Sequence, residues 1–392
     1  MCWAKVLSLV IAVSAVSGCA RGLYGPSVDT PAKPAPREID ELTLSERRSL
    51  LDRAEIWHPV DTAKLDLLAG PGVADGFKLD AAVPCIFDYP DEPLSGATPK
   101  FDCELAPKDV VKVKYGSKNG EVFAEVAASR LFWALGFLAD RMYPVKVTCL
   151  HCPPDPHRAS TVDWSLGRPS NLATRLFDPA AIERKFDGEE IEVPKFKGWS
   201  WRELDEVADN EDGASRAQVD GLKLLAAFIQ HVDSKPENQA IVCADADLGR
   251  DREGNATCAN PRLMVKDLGS SFAAASKVWF SKMNLASWRS VDIWRDERAC
   301  RAELTSSIVG TLSHPRISER GRKFLADQLS LLSDAQIRDL FTAARVERRE
   351  DRIDGHVVTV DDWVKVFKDK RAQVVNHRCD ADREGAARPD NR

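Results

Sequence analysis

His231-Val232-Asp233-Ser234-Lys235-Pro236-Glu237-Asn238, followed 29 residues after Asn238 by Asp267-Leu268-Gly269, is the stretch whose reading decides the fold of this chain. It spaces two carboxylates, a lysine and an amide in an order that suits a divalent cation beside a phosphate. Hard oxygen ligands are what Mg²⁺ prefers, so Asp267 offers a full carboxylate and Asn238 a neutral oxygen to the same ion. Asp233 is placed to accept or orient a proton, and Lys235 to lie near phosphate oxygens. Ahead of the first cluster, residues 222–230 carry the apolar density of a buried helix. Ahead of the second, residues 262–266 read as a short strand. A lone histidine such as His231 has a simpler reading as a core residue, and Asp233, Asn238 and Asp267 have one as loop, cap and turn residues.

A third element lies upstream. Val111-Lys112-Val113-Lys114 reads as a strand, and residues 121–136 as a long helix beginning near Glu121 and carrying Glu125. Phosphoryl transfer leaves a protein little covalent work: it orients a nucleophile, holds Mg²⁺ and neutralises charge on the phosphate. A strand lysine, Lys112 or Lys114, and a helix glutamate, Glu121 or Glu125, could meet the last of these tasks; Lys112 and Lys114 share one strand face, so alternation cannot separate them.

The two downstream segments resemble the catalytic loop and metal-binding triplet of the protein-kinase-like superfamily, in the form H-x-D-x-K-x-x-N and D-[FL]-G. The wider segment from Gly70-Pro71-Gly72, through Pro99-Lys100-Phe101-Asp102, to Trp133-Ala134-Leu135-Gly136 is similar to a group of bacterial kinase-like proteins. The resemblance covers residues 65–300. It implies an α+β, bilobal fold: a small β-rich N-lobe with one long helix, about residues 60–150, and a mainly helical C-lobe, about residues 151–379. It also implies ATP as cofactor with Mg²⁺ or Mn²⁺. Lys114 and Glu125 would serve nucleotide binding, Asn238 and Asp267 the metal, and Asp233 and Lys235 catalysis.

The departures matter as much. Val232 stands where regulated protein kinases carry arginine, and no Ala-Pro-Glu follows the triplet. These point to divergent relatives of phosphoinositide-kinase, toxin or secretory-pathway type. Residues 70–76 do not form G-x-G-x-x-G and read more simply as a turn than as a nucleotide cover.

At the N-terminus a short positive region precedes an apolar run over residues 6–16, too short for a stable membrane span and typical of a signal segment. It ends in Val16-Ser17-Gly18-Cys19, a bacterial lipobox in form, so residues 1–18 are expected as a lipoprotein signal and Cys19 as the lipidated residue. Ala20 points to the outer membrane of a bacterial envelope. The Pro-rich residues 19–41 read as anchor and tether, residues 42–379 as the folded domain, and residues 380–392 as a disordered tail. A helix is expected from Ser45 to Glu55.

Setting aside Cys2 and Cys19, the other eight cysteines form an even number, as an exported protein would pair them. Sequence proximity pairs Cys85 with Cys103, Cys149 with Cys152 and Cys243 with Cys258, and elimination leaves Cys300 with Cys379. The segment from Cys243 to Cys258 reads as a stapled surface hairpin. Residues 308–346 read as two amphipathic helices, the second capped at Ser333. Trp279, Trp288 and Trp294 are expected to pack in the C-lobe, with a substrate groove as their other reading.

The chain of 392 residues has 44% hydrophobic content and a net charge of −6. That is enough for one sizeable core and gives no basic footprint, so nucleic acid is not expected as a partner. Two functions compete: phosphoryl transfer to an unknown acceptor, and a catalytically inactive kinase-fold lipoprotein acting as a binding or structural protein.

Overall fold

The computed structural model describes residues 38–39, 41–72, 74–162, 170–193, 196–207, 209, 213–274 and 282–379. The expected signal segment, Cys19, most of the tether, Trp279 and the tail 380–392 lie outside the described residues. Among the described residues no helix is long and apolar enough to cross a membrane.

The fold is mixed α+β. Helix α1 is Leu44–Asp52, shorter than the expected 45–55. Thr43 rather than Ser45 caps it, through a reciprocal box in which the Thr43 hydroxyl accepts the Glu46 N–H and the Glu46 carboxylate accepts the Thr43 N–H. It stops early because Glu55 is drawn into a bridge with Arg262, where its carbonyl accepts the Leu263 N–H at 2.8 Å.

Strands β1 (Ala81–Asp88), β2 (Lys100–Ala106) and β3 (Asp109–Tyr115) run antiparallel in sequence, and the chain then enters helix α2 (Glu121–Ala134). After β4 (Leu138–Ala139) come β5 (Arg141–Cys152), helix α3 (Pro156–Thr161) and β6 (Ala173–Arg184). The order β1-β2-β3-β6-β5 closes into a barrel, because β5 pairs parallel with β1. Strand β6 therefore belongs to the barrel, although the lobe boundary expected at 150/151 would have put it in the second lobe. Closure leaves the barrel without a free edge, which removes a template for unwanted strand pairing.

Alternation along β3 sends Val111 and Val113 into the barrel interior with Phe101, Val145 and Ile182. The opposite face, carrying Lys112 and Lys114, is left for acidic residues of α2, of β6 and of the chain after residue 266. Helix α2 is apolar and buried nearly all round, as a core helix must be when it is covered on every side.

The rest of the chain is mainly helical. Strand β7 (Glu189–Ile191), helices α4 (Glu203–Val207) and α5 (Arg216–Phe228), and strands β8 (Gln239–Cys243), β9 (Leu248–Arg250), β10 (Ala256–Cys258) and β11 (Arg262–Val265) follow in order. Strands β4-β11-β8-β7 make a small sheet, and β9 and β10 form the expected hairpin. Helices α6 (Leu285–Arg289), α7 (Glu319–Ser330), α8 (Asp334–Ala343) and α9 (Val360–Asn376) complete the core. A full capping box at Ser333 starts α8. Trp288 and Trp294 are buried, as expected; Trp288 stacks on Trp363 at 5.7 Å, while the edge of Trp294 contributes to a shallow depression with Ser290, Arg295 and Glu303.

All four cysteine pairs stand at disulfide distance, with Cα separations of 5.7, 5.5, 5.9 and 5.6 Å in chain order.

Candidate functional site

The site grows from the outer face of β3. Lys114 is 2% exposed, and its ammonium lies 2.6 Å from Glu125 Oε1 on α2. Glu121, one helical turn earlier, reaches it at 3.5 Å, and Asp267 at 3.7 Å. Lys112 makes a different partnership, at 2.8 Å with Glu183 on β6. Two lysines that the strand pattern could not distinguish are thus sorted by what stands opposite each of them.

Asp267 arrives at the end of β11. Its Oδ1 accepts the Gly269 N–H at 3.0 Å, which fixes the carboxylate within its own turn. A Cβ at Gly269 would lie 2.6 Å from the Glu121 side chain, so only glycine lets the triplet press this closely on α2. The loop 231–238 is tied to the same strand: Lys266 N–H donates to the Asn238 carbonyl at 2.8 Å, and Val232 N–H to the Ser270 carbonyl at 3.2 Å. Asn238 donates its Nδ2 to the Asp233 carbonyl at 2.8 Å, leaving Oδ1 as a neutral oxygen donor. Asp233 and Lys235 stand 3.7 Å apart, with side chains 22% and 36% exposed. That loop therefore faces open space where Lys114 does not. His231 is wholly buried beside Trp201, and burial lowers its pKa so that it stays neutral.

The electrostatics are crowded. Burial by itself would lower Lys114, but Asp267, Glu125 and Glu121 outweigh it and hold the ammonium well above its usual range. Burial raises Glu125 well above a normal carboxyl, with the Asp267 charge adding to it against Lys114. Burial would also raise Asp267, but Lys114, the Gly269 N–H and a hydrogen bond from Glu125 depress it below the usual carboxylate range. Carboxylates gathered this closely repel one another unless a proton or a cation neutralises part of their charge. This surplus of hard oxygen donors is of the kind that would suit a divalent cation such as Mg²⁺ or Mn²⁺.

Sequence reasoning treated Glu121 only as a substitute for Glu125 and missed its second task. Its Oε1 accepts the Thr98 hydroxyl at 2.6 Å and lies 2.8 Å from the Lys282 ammonium, which also donates to Thr98. The loop before β2, the start of α2 and the chain after the Asp267 triplet are joined at this one carboxylate. No spacing announces it, since residues 98, 121 and 282 meet only through tertiary packing. Deeper in, Asp140 sits where the chain passes from β4 to β5; burial, then the Glu183 charge, raises its pKa strongly. Residues 67–69 form a turn over the Arg130 guanidinium, whose Nη1 donates to the Leu68 carbonyl at 2.6 Å, and Gly70 follows it against the same guanidinium.

No family model matches this chain, and no curated protein matches it. Among solved structures it is similar to the crystal structure of a Helicobacter pylori proinflammatory kinase, CtkA, at 12% sequence identity and a TM-score of 0.35, over 76% of this chain and 96% of that one.

Proposed function

We propose that this protein is a metal- and nucleotide-dependent phosphotransferase with a kinase-like catalytic domain, acting on an acceptor of unknown class. One observation carries the reading. Lys114 on β3, Glu125 on α2 and Asp267 after β11 come from three separate parts of the chain and meet in one ionic cluster, with Lys114 and Glu125 buried and the Asp267 side chain 42% exposed. A protein built only for binding has no physical need to gather carboxylates that repel one another unless a proton or cation neutralises them. In this reading Lys114 takes charge from the nucleotide phosphates and Glu125 fixes its direction. Asp267 and Asn238 would hold Mg²⁺ or Mn²⁺, which would neutralise charge on the phosphates. Asp233 would accept the acceptor's proton from its half-open loop, with Lys235 beside the transferred group.

The test is a thermal-shift titration of the oxidised protein with ATP and Mg²⁺ or Mn²⁺, run beside Asp267→Ala. A metal-dependent rise in melting temperature that disappears in the variant supports the reading through linkage. No shift in well-folded wild-type protein would favour the inactive binding or structural role.

The same proposal extends, on sequence alone, to attachment of the chain to the bacterial outer membrane by acyl chains on Cys19. Metabolic labelling with an alkyne fatty acid should mark the wild-type chain and not Cys19→Ala; label retained in that variant sinks the anchor.

A further inference from the structure

The register of β2 on β3 pairs Lys100 directly with Lys114. Facing residues of antiparallel strands hold their Cβ atoms about 4.5–5.5 Å apart on one side of the sheet, and like charges there repel. Lys114 is answered by Glu125, Glu121 and Asp267. Lys100 is answered by none: among the described residues no carboxylate lies within ion-pairing distance of its ammonium. Its backbone is held nonetheless, with the N–H donating to His157 Nδ1 at 3.4 Å. It opens β2 directly after the loop carrying Gly96 and Thr98. A Cβ at Gly96 would come within 3.3 Å of the Lys100 ammonium, so glycine keeps the space beside that charge open. Burial, reinforced by the charges of Lys114 and Lys112, lowers its pKa, the reverse of what happens to Lys114. A half-buried ammonium facing a second ammonium, with open space beside it, is an arrangement completed by an anion.

Resting on the phosphotransferase reading, we propose that Lys100 and Lys114 form a two-lysine clamp on the nucleotide polyphosphate. Lys114 is the ion-paired anchor, and Lys100 is the free ammonium that contacts the phosphates directly. Three negatively charged groups in a row suit two ammonium groups on neighbouring strands. The alternative is a lysine stem lying along the sheet with its head in water.

The experiment compares wild type, Lys100→Met and Lys100→Arg for binding of Mg·ATP and of Mg·tripolyphosphate, which has the phosphates and no base. The clamp requires Lys100→Met to weaken both ligands by about tenfold or more, an ordinary loss for one charge-assisted contact. Lys100→Arg should keep most of the affinity. It also requires the ligand-free Lys100→Met protein to melt at or above the wild-type temperature, because repulsion with Lys114 is relieved. Unchanged affinity in Lys100→Met, beside a wild type that binds, overturns the clamp and leaves the proposed function standing. A lower ligand-free melting temperature together with unchanged affinity assigns Lys100 to structure. Wild-type protein that binds neither ligand overturns the clamp and the phosphotransferase reading together.

Discussion

Two lysines are buried in this molecule to the same degree and meet opposite fates. Lys114, on the outer face of β3, is 2% exposed and surrounded by three carboxylates, and its pKa is driven well up. Lys370, on α9 in the helical core, is also 2% exposed. It donates to the Val291 carbonyl and lies 5.4 Å from the Trp288 ring, and burial pulls its pKa down to about 8. A carbonyl dipole and an aromatic face stabilise a charge less than carboxylates do, and burial penalises the charged form. The difference teaches that the fold does not keep buried ammonium groups charged by default. It does so around Lys114, by bringing acidic residues from α2 and from the chain after β11.

The largest way to break this comparison is Asp267→Ala. Removing the proposed metal-gripping carboxylate should abolish metal-dependent nucleotide binding, seen as a lost thermal shift, and turnover with it; a variant that still binds Mg·ATP normally ends the assignment. Asp233→Asn tests the open loop rather than the buried cluster. Turnover should fall by about 10²–10⁴-fold, the usual span for a lost general base, while nucleotide affinity stays within about threefold. A matching loss of affinity would show that Asp233 does not act on the acceptor.

Glu125→Ala leaves Lys114 with two partners of three in a dry site. It should cost about 3 kcal/mol in a denaturant melt, near the lower end for breaking a buried pair, and a neutral result would mean that the cluster does not need its shortest contact. Lys370→Met sharpens the contrast in the other direction. The folded pKa of about 8 lies below the ordinary lysine value near 10.5, so between those pH values the unfolded chain binds more protons. Wild-type stability therefore rises with pH across that window. The stability of the variant relative to wild type should fall by about 2.5 kcal/mol from pH 7 to pH 10. A constant gap would show that Lys370 does not titrate there.

The 222–230 run lies largely in α5 (Arg216–Phe228), and the 262–266 run in β11 (Arg262–Val265). Both elements were legible because period and length are local properties. The disulfide pairs were legible for a cruder reason: three of the four close short loops, and the fourth was what remained. The end of α1 was not legible, because a bridge to a residue some two hundred positions later set it. Nor was the closing of the barrel by the parallel pairing of β5 with β1, which depends on which strand edge is left to cover.

The sequence by itself determined which carboxylate, amide and lysine side chains this protein has, and in what order they occur, because residue chemistry and short-range spacing are written in the chain. It determined that Lys112 and Lys114 share a face. Only the tertiary structure decided that Glu125 and Asp267 answer Lys114, that Glu183 answers Lys112, and that Lys100 faces Lys114 with no carboxylate of its own. The physical reason is that an ion pair depends on separation and burial, and both are fixed by strand register and helix packing between residues far apart in the chain.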